Sequence, residues 1–303
     1  MNSRHITLRL ILGVLILPFA IVIAEHQIFS AQRDIVPGCS VVGSLDIRPF
    51  DSAVFHNKRM LRVWLPPGYD SAEHRTERYP VLYLNDGQDL FDACTSIFSR
   101  EEWRVDETAT ELIGSGKVRP LIIVGIDNAG KADRPKEYLP FPDDTLTPAV
   151  PVVHGEDYPS FLLDEVMPFI NHEYRTKPDP ANTGLGGSSY GAGIALYTIM
   201  THPGHFGKLL LESPSLYAHD NYLLRKAHEF TRWPETIFIG VGSINEPVDD
   251  VQQLGSILRS HGLGSKRLLV VSEPGAAHNE KAWAERFPQA LQFLFRSNQA
   301  GSP

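Results

Sequence analysis

Cysteine is almost absent: the 303-residue chain has two, Cys39 and Cys94. No Cys/His spacing matches a zinc site, and "HNEKAW" lacks the second histidine of the metalloprotease helix pattern, so no metal is expected. Blocks of Lys/Arg are also missing, and 28 basic against 36 acidic side chains leave a formal charge of -8, which excludes nucleic acid as a partner. The longest uncharged apolar run, residues 10–24, spans roughly 22 Å at about 1.5 Å per residue, short of a bilayer core. Preceded by Arg4 and Arg9 and ending in Val22-Ile23-Ala24, it reads as an export signal over 1–24, with an uncleaved N-terminal membrane anchor as the alternative. Export would place the protein in the periplasm or medium, where Cys39 and Cys94 can form a disulfide, although two separate thiols fit the sequence equally well.

What is present is a large core: 42% apolar and 10% aromatic residues are enough for one domain. Residues 25–60 read as an extension with a first strand and 61–298 as the main domain. Within it, strand-like runs such as "RVWLPPGY" (62–69), "YPVLYLNDGQ" (79–88) and "PLIIVGIDN" (120–128) alternate with helix patterns over 103–113, 158–174 and 192–201. The same alternation continues with strands 208–215, 236–243 and 266–275, a helical region reaching 229, and helices 249–261 and 280–295. Strands separated by helices imply parallel pairing through right-handed crossovers, hence a three-layer α/β fold with a mostly parallel sheet and no large cap domain. A proline-rich stretch, 130–153, is too long for a plain connection and is expected to wall a site.

"GLGGSSYGAGIAL" (184–196) places two serines between a strand-like and a helix-like stretch. A nucleophile on a tight strand-to-helix bend needs very small residues two positions before and after it. Ser189 has Gly187 and Gly191 there, whereas Ser188 has Gly186 and Tyr190, so Ser189 is the candidate. A serine hydroxyl needs a histidine to take its proton and a carboxylate to orient that histidine. His278, in the glycine-containing loop after the last strand, is the best placed; His202 and His205 follow the helix after the bend, and His172 falls inside a helix pattern. For the acid, the loop after "TIFIGVGS" offers Glu246 first, then Asp249 and Asp250, either of which would also cap the next helix. Two backbone N–H groups must receive the oxyanion, and Tyr190 and Gln88 are the candidates, with Gly87 letting the chain turn. Trp103, Tyr138, Tyr190, Tyr217 and Trp283 are aromatic candidates for stacking on a substrate ring.

The segments "LPPGYD", "YPVLYLNDGQDLFD", "EWRVDETA", "VGID", "EYLPF", "GGSSYGAG", "ESPSLY", "FIGVGS" and "GAAHNEKAWAERFPQALQFLF", in this order, resemble the esterase family of α/β-hydrolases. That family holds siderophore, feruloyl and acetyl-xylan esterases, S-formylglutathione hydrolases and mycolyltransferases. The resemblance implies hydrolysis of a small-molecule carboxylic ester through an acyl-enzyme, without metal or organic cofactor, with Ser189 as nucleophile, His278 as base, and Gln88 and Tyr190 as oxyanion donors. Asn85 and Ala192 depart from the histidine and second glycine of many relatives, and the acid is the family's least fixed element. An acyltransferase using the same acyl-enzyme, or a non-catalytic binding protein on this fold, are the alternative readings.

Overall fold

A computed structural model describes Cys39 and residues 41–297. The expected export segment, 1–24, lies outside the described residues. Eight strands form one sheet: β1 (Ser44–Ser52), β2 (Asn57–Leu65), β3 (Val81–Asn85), β4 (Ile122–Ile126), β5 (Thr183–Ser188), β6 (Lys208–Glu212), β7 (Thr236–Val241) and β8 (Leu268–Ser272). Their order is β1-β2-β4-β3-β5-β6-β7-β8; β1 and β2 are antiparallel to each other, β2 is antiparallel to β4, and every other pair is parallel. Because β1 pairs with β2 along its whole length, the sheet begins well before Leu61, the start expected for the main domain.

The helices are α1 (Val105–Gly114), α2 (Arg134–Tyr138), α3 (Tyr158–Ser160) running through a wider turn, Phe161–Val166, into α4 (Met167–Glu173), α5 (Tyr190–Thr201), α6 (Ala218–Glu229), α7 (Val248–Ser260) and α8 (Glu280–Phe295). In α6, His219, Asp220 and Asn221 are left-handed, so the regular helix starts after them. Alternate residues of β3 point to opposite faces: Val81 and Tyr83 join one apolar cluster with residues of α4, α5, α6 and α7, while Leu82 and Leu84 join the other with α1 and α8. Strands covered on both faces need continuous apolar runs, which "IIVGI" of β4 supplies. The architecture is the three-layer α/β fold expected from the alternation. The 130–153 stretch differs from a plain loop, because Pro135 at the first turn lets it nucleate α2.

Cys39 and Cys94 are joined in a disulfide that spans 55 residues and ties the segment before β1 to the loop before α1. Two further hydrogen bonds hold that segment: Trp64 Nε1 donates to the Val42 carbonyl (2.8 Å) and Val42 N donates to Asp106 Oδ2 (2.5 Å). A 55-residue closure is worth about 4 kcal/mol in the chain-entropy model. Cys39→Ser/Cys94→Ser is therefore expected to melt about 10 °C below the oxidised protein, and an unchanged melting curve would show the bridge to be energetically idle.

Candidate active site

The sheet order reverses around β3, with β4 on one side and β5 on the other, and a crevice opens beyond the strand carboxyl ends at such a point. Ser189 stands there, between β5 and α5, with φ 55° and ψ -125°, a conformation rarely held by a residue with a side chain. Three backbone hydrogen bonds over-determine it: Ser189 N donates to the Glu212 carbonyl (2.9 Å), while Gly193 N and Ser215 N donate to the Ser189 carbonyl (3.0 and 3.2 Å). The flanking glycines are required by close approach. A Cβ on Gly187 would sit 2.8 Å from the Gly191 backbone, and one on Gly191 would sit 2.8 Å from Asp86 Oδ2. Ser188, the last residue of β5, is buried.

The histidine and the acid come from loops after the two far strands. His278 lies after β8, and Asn279 caps α8 immediately behind it, accepting from Ala282 N (3.0 Å). Glu246 lies after β7, and its Oε2 is 2.9 Å from His278 Nδ1. The other oxygen, Oε1, accepts from Ser213 Oγ (2.7 Å), which in turn accepts from Trp283 Nε1 (3.0 Å). Burial opposes ionisation of Glu246, but the hydrogen bonds from His278 and Ser213 outweigh it and hold the carboxyl below its ordinary range. The Glu246 side chain is fully shielded from solvent, and that of His278 is one-third exposed. The two loops are laced together: Ile244 bridges Ala277, Ser243 N and Ile244 N donate to the Ala276 carbonyl (2.9 and 3.0 Å), and Gly275 N donates to Ser243 Oγ (2.8 Å). Asp249 and Asp250 instead occupy the first turn of α7, where acidic groups favour the helix dipole.

Ser189 and His278 line one cavity of about 330 Å³. In this conformation the Ser189 hydroxyl lies 3.3 Å from Ser215 Oγ, its hydrogen-bond partner among the described residues, rather than bonded to the imidazole. Hydrogen bonds between reacting side chains are often long in the absence of substrate and tighten when it binds.

Tyr190 opens α5, so its N–H has no acceptor within the helix. Gln88 lies in a short turn, Gly87–Asp89, with its side-chain Oε1 accepting from Asn128 N (3.1 Å) and its carbonyl from Thr95 Oγ1 (2.7 Å). The sharp bend there is made by Asp86, at φ 60°, not by Gly87. Gly87 is needed for a different reason, since a Cβ would come within 2.6 Å of the Gly125 backbone on β4.

Sequence reasoning missed the clamp beneath these loops. Arg134 of α2 donates to both oxygens of Asp86 (2.7 and 2.8 Å) and to the Ser188 carbonyl (3.2 Å), with all three residues buried. The loops after β3 and β5 are thereby fastened to each other through α2. Arg286 of α8 likewise holds Glu212 under the Ser189 bend, with Nε donating to Glu212 Oε2 (2.8 Å) and Nη1 to Glu273 Oε2 (2.9 Å).

Of the aromatic candidates, Trp103 and Trp283 line the cavity. Tyr138 does not: it is buried, packs edge-on against Tyr158, and its hydroxyl accepts from Asp86 N (3.4 Å), so no ring face is open for a substrate. Tyr217 is exposed at the start of α6 beside Tyr190 and lies outside the cavity lining.

Fold and site together define an α/β-hydrolase. A family model described as "Putative esterase" matches residues 52–294, and the chain belongs to this esterase family. It is 24% identical to the uncharacterized protein YbbA of Bacillus subtilis over 80% of this chain and 94% of that protein. It is 27% identical to an endo-1,4-beta-xylanase/feruloyl esterase of Xylanibacter ruminicola over 77% of this chain and 29% of that protein. Among solved structures, a ferulic acid esterase superposes with a TM-score of 0.64 at 19% identity, covering 84% of this chain and 98% of that one. The enterobactin esterase of Shigella flexneri gives 0.66 at 19% identity, covering 84% and 59%.

Proposed function

We propose that the protein hydrolyses carboxylic esters through an acyl-enzyme on Ser189. The observation that carries this reading is the His278–Glu246 pair, 2.9 Å apart, with His278 lining the same cavity as a serine held at a strained strand-to-helix bend. Ser189 Oγ attacks the ester carbonyl as His278 Nε2 takes its proton, and Glu246 stabilises the imidazolium through Nδ1. The N–H groups of Gln88 and Tyr190 receive the oxyanion. Collapse of the tetrahedral adduct breaks the bond to the alcohol, which leaves with the proton from Nε2. Water then attacks the acyl-enzyme with His278 as base, and the acid is released. The chain's similarity to feruloyl and enterobactin esterases supports this chemistry. The disulfide, together with the apolar N-terminal run, supports an exported enzyme, since such bridges persist outside the reducing cytosol.

A fluorophosphonate probe, which reacts with activated serines, is expected to label one peptide, that containing Ser189, and to leave Ser189→Ala unlabelled. Folded protein that resists the probe, or carries it elsewhere, would contradict the proposal.

A further inference from the structure

Behind the His278–Glu246 pair lies a chain of buried hydrogen bonds whose direction is set at its far end. Trp283, near the start of α8, is buried, and its one polar atom, Nε1, can donate but never accept. It donates to Ser213 Oγ (3.0 Å). With the indole proton on its oxygen, the Ser213 hydroxyl turns its own proton to Glu246 Oε1 (2.7 Å). Glu246 therefore meets His278 Nδ1 as an acceptor, across 2.9 Å, and the imidazole proton stands on Nδ1. That leaves Nε2 bare, the state in which it can take a proton from Ser189. Ser213 is itself held in an unusual place: it is fully buried at φ 44°, a costly conformation for a residue with a side chain, and its N–H donates to the Gly240 carbonyl of β7 (2.8 Å). The indole also packs against the imidazole, with ring centroids 5.2 Å apart at 83°, and against Trp103 at 5.7 Å.

Resting on the ester-hydrolase reading above, we infer that Trp283 is a positioning residue of the triad rather than a platform for a substrate ring: through Ser213 it keeps Glu246 an acceptor and His278 in the Nδ1–H tautomer. Burial opposes the charge on Glu246, so the anion persists only while donors face it. Without the indole N–H, nothing fixes the rotation of the Ser213 hydroxyl, and each turn away from Oε1 strips a donor from a shielded carboxylate. A Glu246 that takes up a proton donates it to Nδ1, the imidazole proton moves to Nε2, and Ser189 loses its base.

Trp283→Phe keeps an aromatic ring and removes the donor. On p-nitrophenyl butyrate it is expected to lower kcat about 10-fold with KM unchanged, and Ser213→Ala about 10- to 100-fold, while the double variant falls no further than Ser213→Ala, because the same chain is broken in each. A raised KM at unchanged kcat would assign Trp283 to the substrate and overturn the inference, as would losses that multiply in the double variant. Nitrogen-15 NMR of histidine-labelled protein, at a pH where the imidazole is neutral, gives a readout that a merely structural role would not move. His278, identified by the signals lost in His278→Asn, is expected to be protonated on Nδ1 in the wild type and divided between both nitrogens in Trp283→Phe. A wild-type proton on Nε2 refutes the inference even if no variant folds, and an unaltered tautomer in folded Trp283→Phe refutes it too. Fluorophosphonate labelling separates the two readings: a labelled wild type beside an unimpaired Trp283→Phe overturns the positioning role alone, whereas an unlabelled wild type overturns the hydrolase and this role with it.

Discussion

Replacing Ser189 with alanine is expected to lower kcat on any accepted ester by about 10⁴ to 10⁶, because nucleophile, base and acid act as a unit. Ser188→Ala should keep most of the activity. The asymmetry follows from the bend. Ser189 holds the strained backbone at φ 55° and presents its hydroxyl to the cavity, while the contribution of Ser188 to the clamp is its carbonyl, which accepts from Arg134 and survives the substitution. Steady-state rates of the two purified variants decide the matter, with circular dichroism to establish that both are folded. Equal losses would mean that neither hydroxyl is singled out by the chain geometry.

Glu246→Gln is expected to cost about 10³ to 10⁴ in kcat with little change in KM. The amide is isosteric, so Ser213 and Trp283 keep their places, but it cannot offset a positive imidazole and invites the wrong tautomer at Nδ1. Complete shielding of the carboxylate makes the effect large, since no water is at hand to substitute for the lost charge. The variant should also lose a pH-dependent share of stability. A carboxyl held below its ordinary value of 4.5 stabilises the fold above that pH, and the contribution fades as pH falls through the folded value. Activity within a few-fold of wild type would remove Glu246 from the mechanism and reopen the question of Asp249 and Asp250.

The layer architecture was legible because it rests on local signals: apolar runs of strand length, helix periodicity between them, and punctuation by glycine and proline. That Ser189 rather than Ser188 occupies the tight bend was legible for a similar reason, as glycine spacing reports how closely the chain approaches itself. Glu246, the first acid after β7, is the carboxylate that meets His278. The supporting cast left no such trace. Arg134 meets Asp86 across 48 positions and Trp283 meets Ser213 across 70, so only the folded chain brings them together. Tyr138 misled for the same reason, since a tyrosine in a proline-rich stretch looks like a rim residue until α2 turns its hydroxyl inward to Asp86. Ser215, within Ser-Pro-Ser, carried no pattern to mark its hydroxyl as a neighbour of Ser189.

The lacing of the loops after β7 and β8 has a mechanical consequence. His278 and Glu246 form one tile, mounted on the rim of the sheet, whereas the Ser189 hydroxyl stands over its middle. Loosening the rim would move both side chains together relative to Ser189 and leave the contact between them intact.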